Sequence, residues 1–318
     1  MKNKHFHKSG QAFSRICILI LVVFFIVCML SQPAKFIQQS LNGLTAWATN
    51  ILPSVLPFMF FTKVLSALDI MPTLTRPFSP ITQKFFKTPP ISIYTFAMAV
   101  LSGYPVGSKM VADLYLQGKI TKSDAFKMSS FCSTSGPMFI IGAVGIGMFH
   151  NSKIGYILFA SHLIGSILNG ILFRNLKAKD EQPLPTSNEN NKKSAINLAD
   201  IVTSSTLSIL SVGCIITIFF IVIACFEPLL SLLPQSFAFF LEGIIEITKG
   251  CLDISTLSNV NLAIILASFI ISFGGISTIL QSITMLSSVK MPIKLFVLQK
   301  LCHGFLSALV TAAIIFLI

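Results

Sequence analysis

Glu242 and Glu246 stand four residues apart in an otherwise apolar stretch, and Lys249 follows three residues later. On a helix that spacing puts both carboxylates on one face. A carboxylate inside a membrane is costly unless it is protonated, paired or bound to a cation. The pair is therefore a candidate proton or cation site. The competing reading is a salt bridge between Glu246 and Lys249 in an outer vestibule. Three neutral clusters accompany it: Ser102-Gly103-Tyr104-Pro105, Ser133-Thr134-Ser135-Gly136-Pro137, and Gly274-Gly275-Ile276-Ser277 with Gln281 downstream. Glycine and proline inside apolar runs predict backbone that leaves helix geometry, and such backbone needs protein or water partners. Four breaks are expected, at Ser102–Gly107, Ser133–Pro137, Glu242–Gly250 and Gly274–Thr278. Their helix ends would offer N–H groups to anionic or polar solutes and carbonyls to cations. The predicted substrate-binding set is Ser102, Gly103, Tyr104, Pro105, Ser133, Thr134, Ser135, Gly136, Glu242, Gly243, Glu246, Gly274, Gly275, Ser277 and Gln281. Glu242 beside Gly243 is the expected counterpart of Ser102 beside Gly103. Glu246 is expected to matter less, one turn nearer the hairpin tip or the vestibule. The other glycines (142, 145, 147, 165 and 170) suit close helix packing.

The elements that must position these groups are membrane helices. Hydrophobic residues make up 53% of the chain and charged ones 11%, with a mean hydropathy of +0.82. Soluble domains carry about 25% charged residues. The expected fold is an all-α polytopic membrane protein, an inverted repeat with re-entrant hairpins and discontinuous transmembrane helices, plus one extra N-terminal helix. Residues 1–33 form a basic cytoplasmic tail and first helix. Residues 34–177 form the first membrane repeat, 178–197 a flexible cytoplasmic linker, and 198–318 the second repeat. Each repeat reads as a long apolar run, a short interrupted run, a broken run and a second long run. Gly103 to Pro137 is 34 residues and Gly243 to Gly275 is 32. The competing explanation is a coincidental repeat in a low-complexity apolar sequence.

Charge sets the expected orientation. The net charge of +12 reports topology, not nucleic-acid binding, because the basic residues fall in tails and loops. Lys2, Lys4, Lys8 and Arg15 precede the first apolar run, Ile16–Leu30. A signal peptide would start alike, but no small-x-small cleavage site follows, so an uncleaved helix is favoured. Arg76, Lys84, Lys87, Lys119, Lys122, Arg174, Lys177, Lys290 and Lys294 place their loops inside. The loop 227–235 has no Lys or Arg and is placed outside. Pro53 and Pro57 predict a kink in the helix Leu41–Leu68. Lys109 and Asp113 are expected to pair with each other at the cytoplasmic mouth. His162, Lys300 and His303 sit in long apolar runs, the histidines as buried neutral side chains and Lys300 reaching inward.

Several functions are excluded or weakened. There is no Walker-type phosphate loop for ATP hydrolysis, no HExxH motif and no cysteine cluster. The seven cysteines are odd in number, lack a CxxC pair and read as free thiols. His5-Phe6-His7 is a weak metal pattern in a tail. No enzyme and no cofactor is expected. The expected partners are the lipid bilayer and a small polar solute or ion, and a homo-oligomer is compatible with the sequence.

Ser102-Gly103-Tyr104-Pro105-Val106-Gly107-Ser108-Lys109, Gln117-Gly118-Lys119-Ile120-Thr121-Lys122 and Gly136-Pro137-Met138-Phe139-Ile140-Ile141-Gly142 together resemble the sporulation integral membrane protein YlbJ family. Phe273-Gly274-Gly275-Ile276-Ser277 with Gln281 is similar to that family's C-terminal motif. One departure is Ser133-Thr134-Ser135, where the family pattern has an asparagine-containing stretch. The resemblance covers most of the chain from about Leu41. It implies relationship to proteins with nucleoside-recognition, or Gate, domains and a role in endospore formation. Two functions follow as expectations: a transporter-like protein working by alternating access, or a non-transporting scaffold for the spore envelope that keeps a transporter fold.

Overall fold

The computed structural model describes residues 2–68, 73, 76–178 and 197–317, with side chains from Arg15 onward except those of residues 66 and 79. Most of the predicted linker 178–197, with its cytoplasmic placement, and the His5-Phe6-His7 side chains lie outside the described residues. No strand occurs among the described residues. Five helical spans are long and apolar enough to cross a membrane, at Pro33–Leu65, Ser152–Leu172, Leu198–Leu230, Val260–Val289 and Ile293–Leu317. The chain is an all-α, multi-pass membrane protein.

The first helix, α1 (Lys2–Ser31), is longer than the apolar run Ile16–Leu30 alone predicts. Its apolar side chains from Ile16 to Leu30 are mostly exposed, as suits a helix surrounded by lipid. It touches the rest of the molecule through Phe24 and Phe25 against Phe226. Next come α2 (Pro33–Ala46) and α3 (Leu52–Ala67), joined by a π-turn at Trp47–Ile51. The widened turn precedes Pro53, whose ring nitrogen cannot donate to the preceding turn, so the expected distortion appears here. Two arms follow, α4 (Ile91–Ser102) and α5 (Val106–Leu116). Then comes a broken helix, α6 (Lys122–Cys132) and the π-helical α7 (Met138–Met148). The long α8 (Ser152–Leu172) closes this half.

The same order recurs. It runs through the long α9 (Leu198–Leu230), the arms α10 (Gln235–Ile245) and α11 (Ile247–Ile254), the broken pair α12 (Val260–Phe273) and α13 (Gly275–Met285), and the long α14 (Ile293–Leu317). Like packs on like: α9 lies against α2 and α3, and α14 lies against α8. On the first face Gly213 leaves room for Trp47, whose indole N–H donates to the Ile209 carbonyl at 3.2 Å. On the second, Gly165 admits the Ser307 side chain.

The interior of the α6, α8 and α14 bundle is polar, and its side-chain amide N–H groups bond backbone carbonyls of neighbouring helices. Asn169 donates to the Ser130 carbonyl at 2.7 Å and to the Gln299 carbonyl at 3.0 Å. Gln299 donates to the Phe126 carbonyl at 2.9 Å, and Ser166 to the Phe131 carbonyl at 2.9 Å. In a membrane such bonds substitute for the hydrophobic drive that lipid cannot supply. They hold α6 in place up to its break.

Candidate functional site

Four breaks occur, and they meet. The first hairpin turns at Gly103-Tyr104-Pro105, between α4 and α5. The first broken helix opens at Ser133–Gly136. The second broken helix opens at Gly274, with φ of +91° there and +69° at Gly275, values that suit glycine alone. The second hairpin turns at Glu246, whose backbone is extended at φ −139° and ψ 120°.

That last position corrects the sequence expectation. Glu242 and Gly243 are not at a break; they are helical residues of α10. Gly243 is there for contact, because a methyl group on Gly250 of the return arm would overlap its backbone. Glu242 and Glu246 do not share one helical face, since the helix ends between them. Nor does Glu246 face Lys249 as an ion pair. The Lys249 ammonium binds Glu242 at 3.4 Å and also Asp253. Glu246 is 1% exposed, and its carboxylate accepts the Lys249 backbone N–H at 2.7 Å, capping the start of α11. Glu242 instead borders a separate cavity of about 400 Å³ beside Gln39, Glu227 and Lys249. Lys109 and Asp113 are both exposed, and no ion pair joins them among the described residues.

Each hairpin tip docks on the break of its own half. A methyl on Gly103 would lie 2.8 Å from the Gly136 nitrogen. One on Gly275 would lie 3.2 Å from both the Gly243 oxygen and the Ile247 nitrogen. Between the two halves is a cavity of about 590 Å³ lined by both hairpin tips, the first break and the first turn of α13. Ser102, Gly103, Tyr104 and Pro105 contribute from the first tip, Ser135 and Gly136 from the first broken helix, Glu246 from the second tip, and Ser277 and Gln281 from the second broken helix. Thr248, Thr278 and Lys63 join them, and Phe58, Phe139 and Phe219 supply apolar walls. Of the predicted set, Ser133, Thr134, Glu242, Gly243, Gly274 and Gly275 do not line this cavity.

The wall has a consistent polarity. The first residues of α5, α7 and α11 border the cavity, so three helix N-termini lie at its wall, and α13 reaches it from its third residue, Ser277. At α11 the protein's own Glu246 carboxylate fills that position. The starts of α5, α7 and α13 have no side-chain cap. Ser277, in the first turn of α13, is 2% exposed and its hydroxyl has no partner. Lys63 donates to Ser204 at 3.1 Å and Ser208 at 3.2 Å, both neutral.

Behind this wall lies a group that sequence reasoning left out of the site. The Lys300 ammonium is buried and donates to the Tyr104 hydroxyl at 2.6 Å and the Ser133 carbonyl at 2.8 Å, with His303 Nδ1 at 3.5 Å. His303 Nε2 donates to the His162 carbonyl at 3.1 Å. His162 Nε2 accepts the Ser135 N–H at 3.0 Å, and its Nδ1 donates to the Ser272 hydroxyl at 2.8 Å. The two imidazole rings are 4.7 Å apart. The network ties the first tip to both broken helices. Its signal in the sequence was a lysine and a histidine at i and i+3 in an apolar span.

A family model described as Gate, nucleoside recognition, matches residues 48–153, which hold the first hairpin and the first broken helix. The chain is 28% identical to the sporulation integral membrane protein YlbJ of Bacillus subtilis (strain 168), over 93% of this chain and 82% of that protein. No solved structure matches the chain at a significant level. The likeness to YlbJ, first read from the Ser-Gly-Tyr-Pro and Gly-Pro-Met-Phe motifs, thus extends along nearly the whole chain.

Proposed function

We propose that this protein is a secondary transporter that moves a small solute bearing an anionic group, and that it serves endospore formation as the name of its relative indicates. The observation that carries this is the cavity wall. The uncapped starts of α5 and α7, and Ser277 with its unpartnered hydroxyl, border one cavity. Helix dipoles and the unpartnered hydroxyl favour an anion there. Glu246 supports the choice, because at the third helix start a carboxylate occupies the equivalent seat. Phe58, Phe139 and Phe219 would cover the solute's carbon frame.

The recurring order of elements supports an inverted repeat, 34–177 against 198–318, whose two hairpin-and-break units rock about the solute to expose it to either side. The decisive experiment uses purified protein in a thermal-shift screen of metabolites and ions, followed by counterflow of each hit in proteoliposomes. A carboxylate or other oxyanion that stabilises the protein and is exchanged across the bilayer is the expected result. The cavity-filling Val212→Trp should abolish both. If no solute moves and Val212→Trp still supports full yields of heat-resistant spores in a Bacillus subtilis strain lacking YlbJ, the protein is a scaffold with a closed transporter fold.

A further inference from the structure

Lys300 is a charge that solute binding alone leaves without a role. It is 2% exposed, and no carboxylate pairs with it among the described residues. Its three N–H bonds meet three neutral acceptors, Tyr104 Oη, the Ser133 carbonyl and His303 Nδ1, so the ammonium form fits. The neutral amine fits as well. Tyr104 now directs its O–H toward the Ser272 carbonyl, at a long 3.4 Å. Rotated, it would donate to the amine lone pair, while the two remaining N–H bonds stay on Ser133 and His303. The side chain is thus built to be satisfied in either state.

The neighbouring titratable groups are fixed or distant. The Ser135 N–H holds His162 Nε2 as an acceptor, and the His162 carbonyl holds His303 Nε2 as a donor. His162 takes no second proton without losing the Ser135 N–H, whereas a proton on His303 Nδ1 would donate back to the Lys300 amine. The packed elements α12 and α13 carry no titratable side chain. From α6 come Cys132 at its buried end and, farther back, Asp124 and Lys127, which pair with each other at 3.1 Å. From α8 come only His162 and, toward its ends, Lys153 and Tyr156. The exchangeable charge resides on the Lys300–His303 pair, and Lys300 is the member that Tyr104 contacts.

Tyr104 belongs to both places, for it lines the cavity and touches Lys300. We infer that Lys300 is a proton-binding site that exchanges with the cavity through the Tyr104 hydroxyl. In uptake, a hydronium ion in the cavity gives a proton to Tyr104 Oη as Tyr104 passes its own proton to the Lys300 amine. Water is left in the cavity and one positive charge rests on Nζ. Release is the reverse. A consequence rests on the transport reading above. An anion in the cavity and a proton on Lys300 stabilise each other, and linkage makes that mutual, so the pair would cross together as anion–proton symport.

The test uses the full chain in nanodiscs with ¹⁵Nζ-labelled lysine, the Lys300 signal being assigned by its loss in Lys300→Arg. In the unmodified protein this signal should pass from the ammonium to the amine position as pH rises, and its midpoint should move to higher pH when succinate is added. In Tyr104→Phe the fast exchange of the Lys300 protons with water should be lost while protein abundance is kept. A Lys300 signal that stays ammonium throughout the stable pH range overturns the inference, as does Tyr104→Phe exchanging as fast as the unmodified protein. Thermal shift with succinate on the same samples reports the anion reading separately. Lys300 titrating through Tyr104 with no carboxylate bound would sink that reading and leave the proton site standing.

Discussion

Replacing Glu246 by Gln should damage this protein more than replacing Glu242, the reverse of the order their spacing suggests. Glu246 is 1% exposed, accepts the Lys249 N–H at 2.7 Å and sits at the positive end of α11. The amide keeps an acceptor oxygen, so the cap survives at neutral strength. What is lost is the difference between a charge-assisted and an ordinary hydrogen bond, together with the dipole interaction, about 1–2 kcal/mol. At about 1.4 kcal/mol per factor of ten, that lowers the folded-to-unfolded ratio roughly tenfold. Glu242 pairs with Lys249 at 3.4 Å, with side chains 12% and 18% exposed, and Lys249 keeps Asp253 when Glu242 becomes Gln. That loss should stay below about 1 kcal/mol. Unfolding free energies of both variants in nanodiscs would check the stability order. Complementation of a Bacillus subtilis strain lacking YlbJ, scored as heat-resistant spores at matched membrane abundance, would check function. Glu246→Gln should fail and Glu242→Gln should be near normal. If Glu242→Gln is the more damaging variant by both measures, the second hairpin does not turn at Glu246 and the cavity wall is misassigned.

Other changes test separate contacts. Gly275→Ala places a methyl 3.2 Å from two backbone atoms at a φ of +69°, and should destabilise by about 2 kcal/mol or more in the same unfolding assay. Ser277→Ala removes a hydroxyl with no partner, so stability should hold while affinity for the transported anion falls in thermal shift. Asn169→Leu strips the two hydrogen bonds that α8 donates to α6 and to α14 and should cost about 1–3 kcal/mol, read as a lowered unfolding midpoint. For topology, single cysteines in a cysteine-free background should be labelled from outside at residue 232 and not at residue 190. Efficient outside labelling at residue 190 would remove the inverted repeat.

Much of the fold was legible because its signals are local. Apolar run lengths marked the long helices, and Pro53 and Pro57 marked the distorted span, which the structure widens at Trp47–Ile51. All four breaks fell within their expected windows: Gly103-Tyr104-Pro105, Ser133–Pro137 and Gly274-Gly275 combine residues that helices reject, and the turn at Glu246 lies inside Glu242–Gly250. The first helix was less legible. Lys2 through Ser14 look like a tail by hydropathy, yet they continue the helical backbone of α1, because polarity says where a helix leaves the apolar layer and not where it ends.

The two misplacements share a cause. At the second hairpin the glycine drew the expected start of the break to Glu242-Gly243, but Gly243 serves the close approach of Gly250 while an extended Glu246 makes the turn. Glycine marks either freedom or contact, and only the partner backbone decides which. Lys300 poses the same difficulty over a longer range. Its position in an apolar span flagged it as costly, but its hydrogen-bond partner Tyr104 lies 196 residues away in the other half. Residue type announces that a buried charge must be satisfied. Which group satisfies it depends on two hairpin tips and two broken helices meeting, and that meeting is a property of tertiary packing. A fold built from two interlocking halves places contacts such as Lys300 to Tyr104 across the seam between them, where the sequence of either half, taken alone, shows an unfinished site.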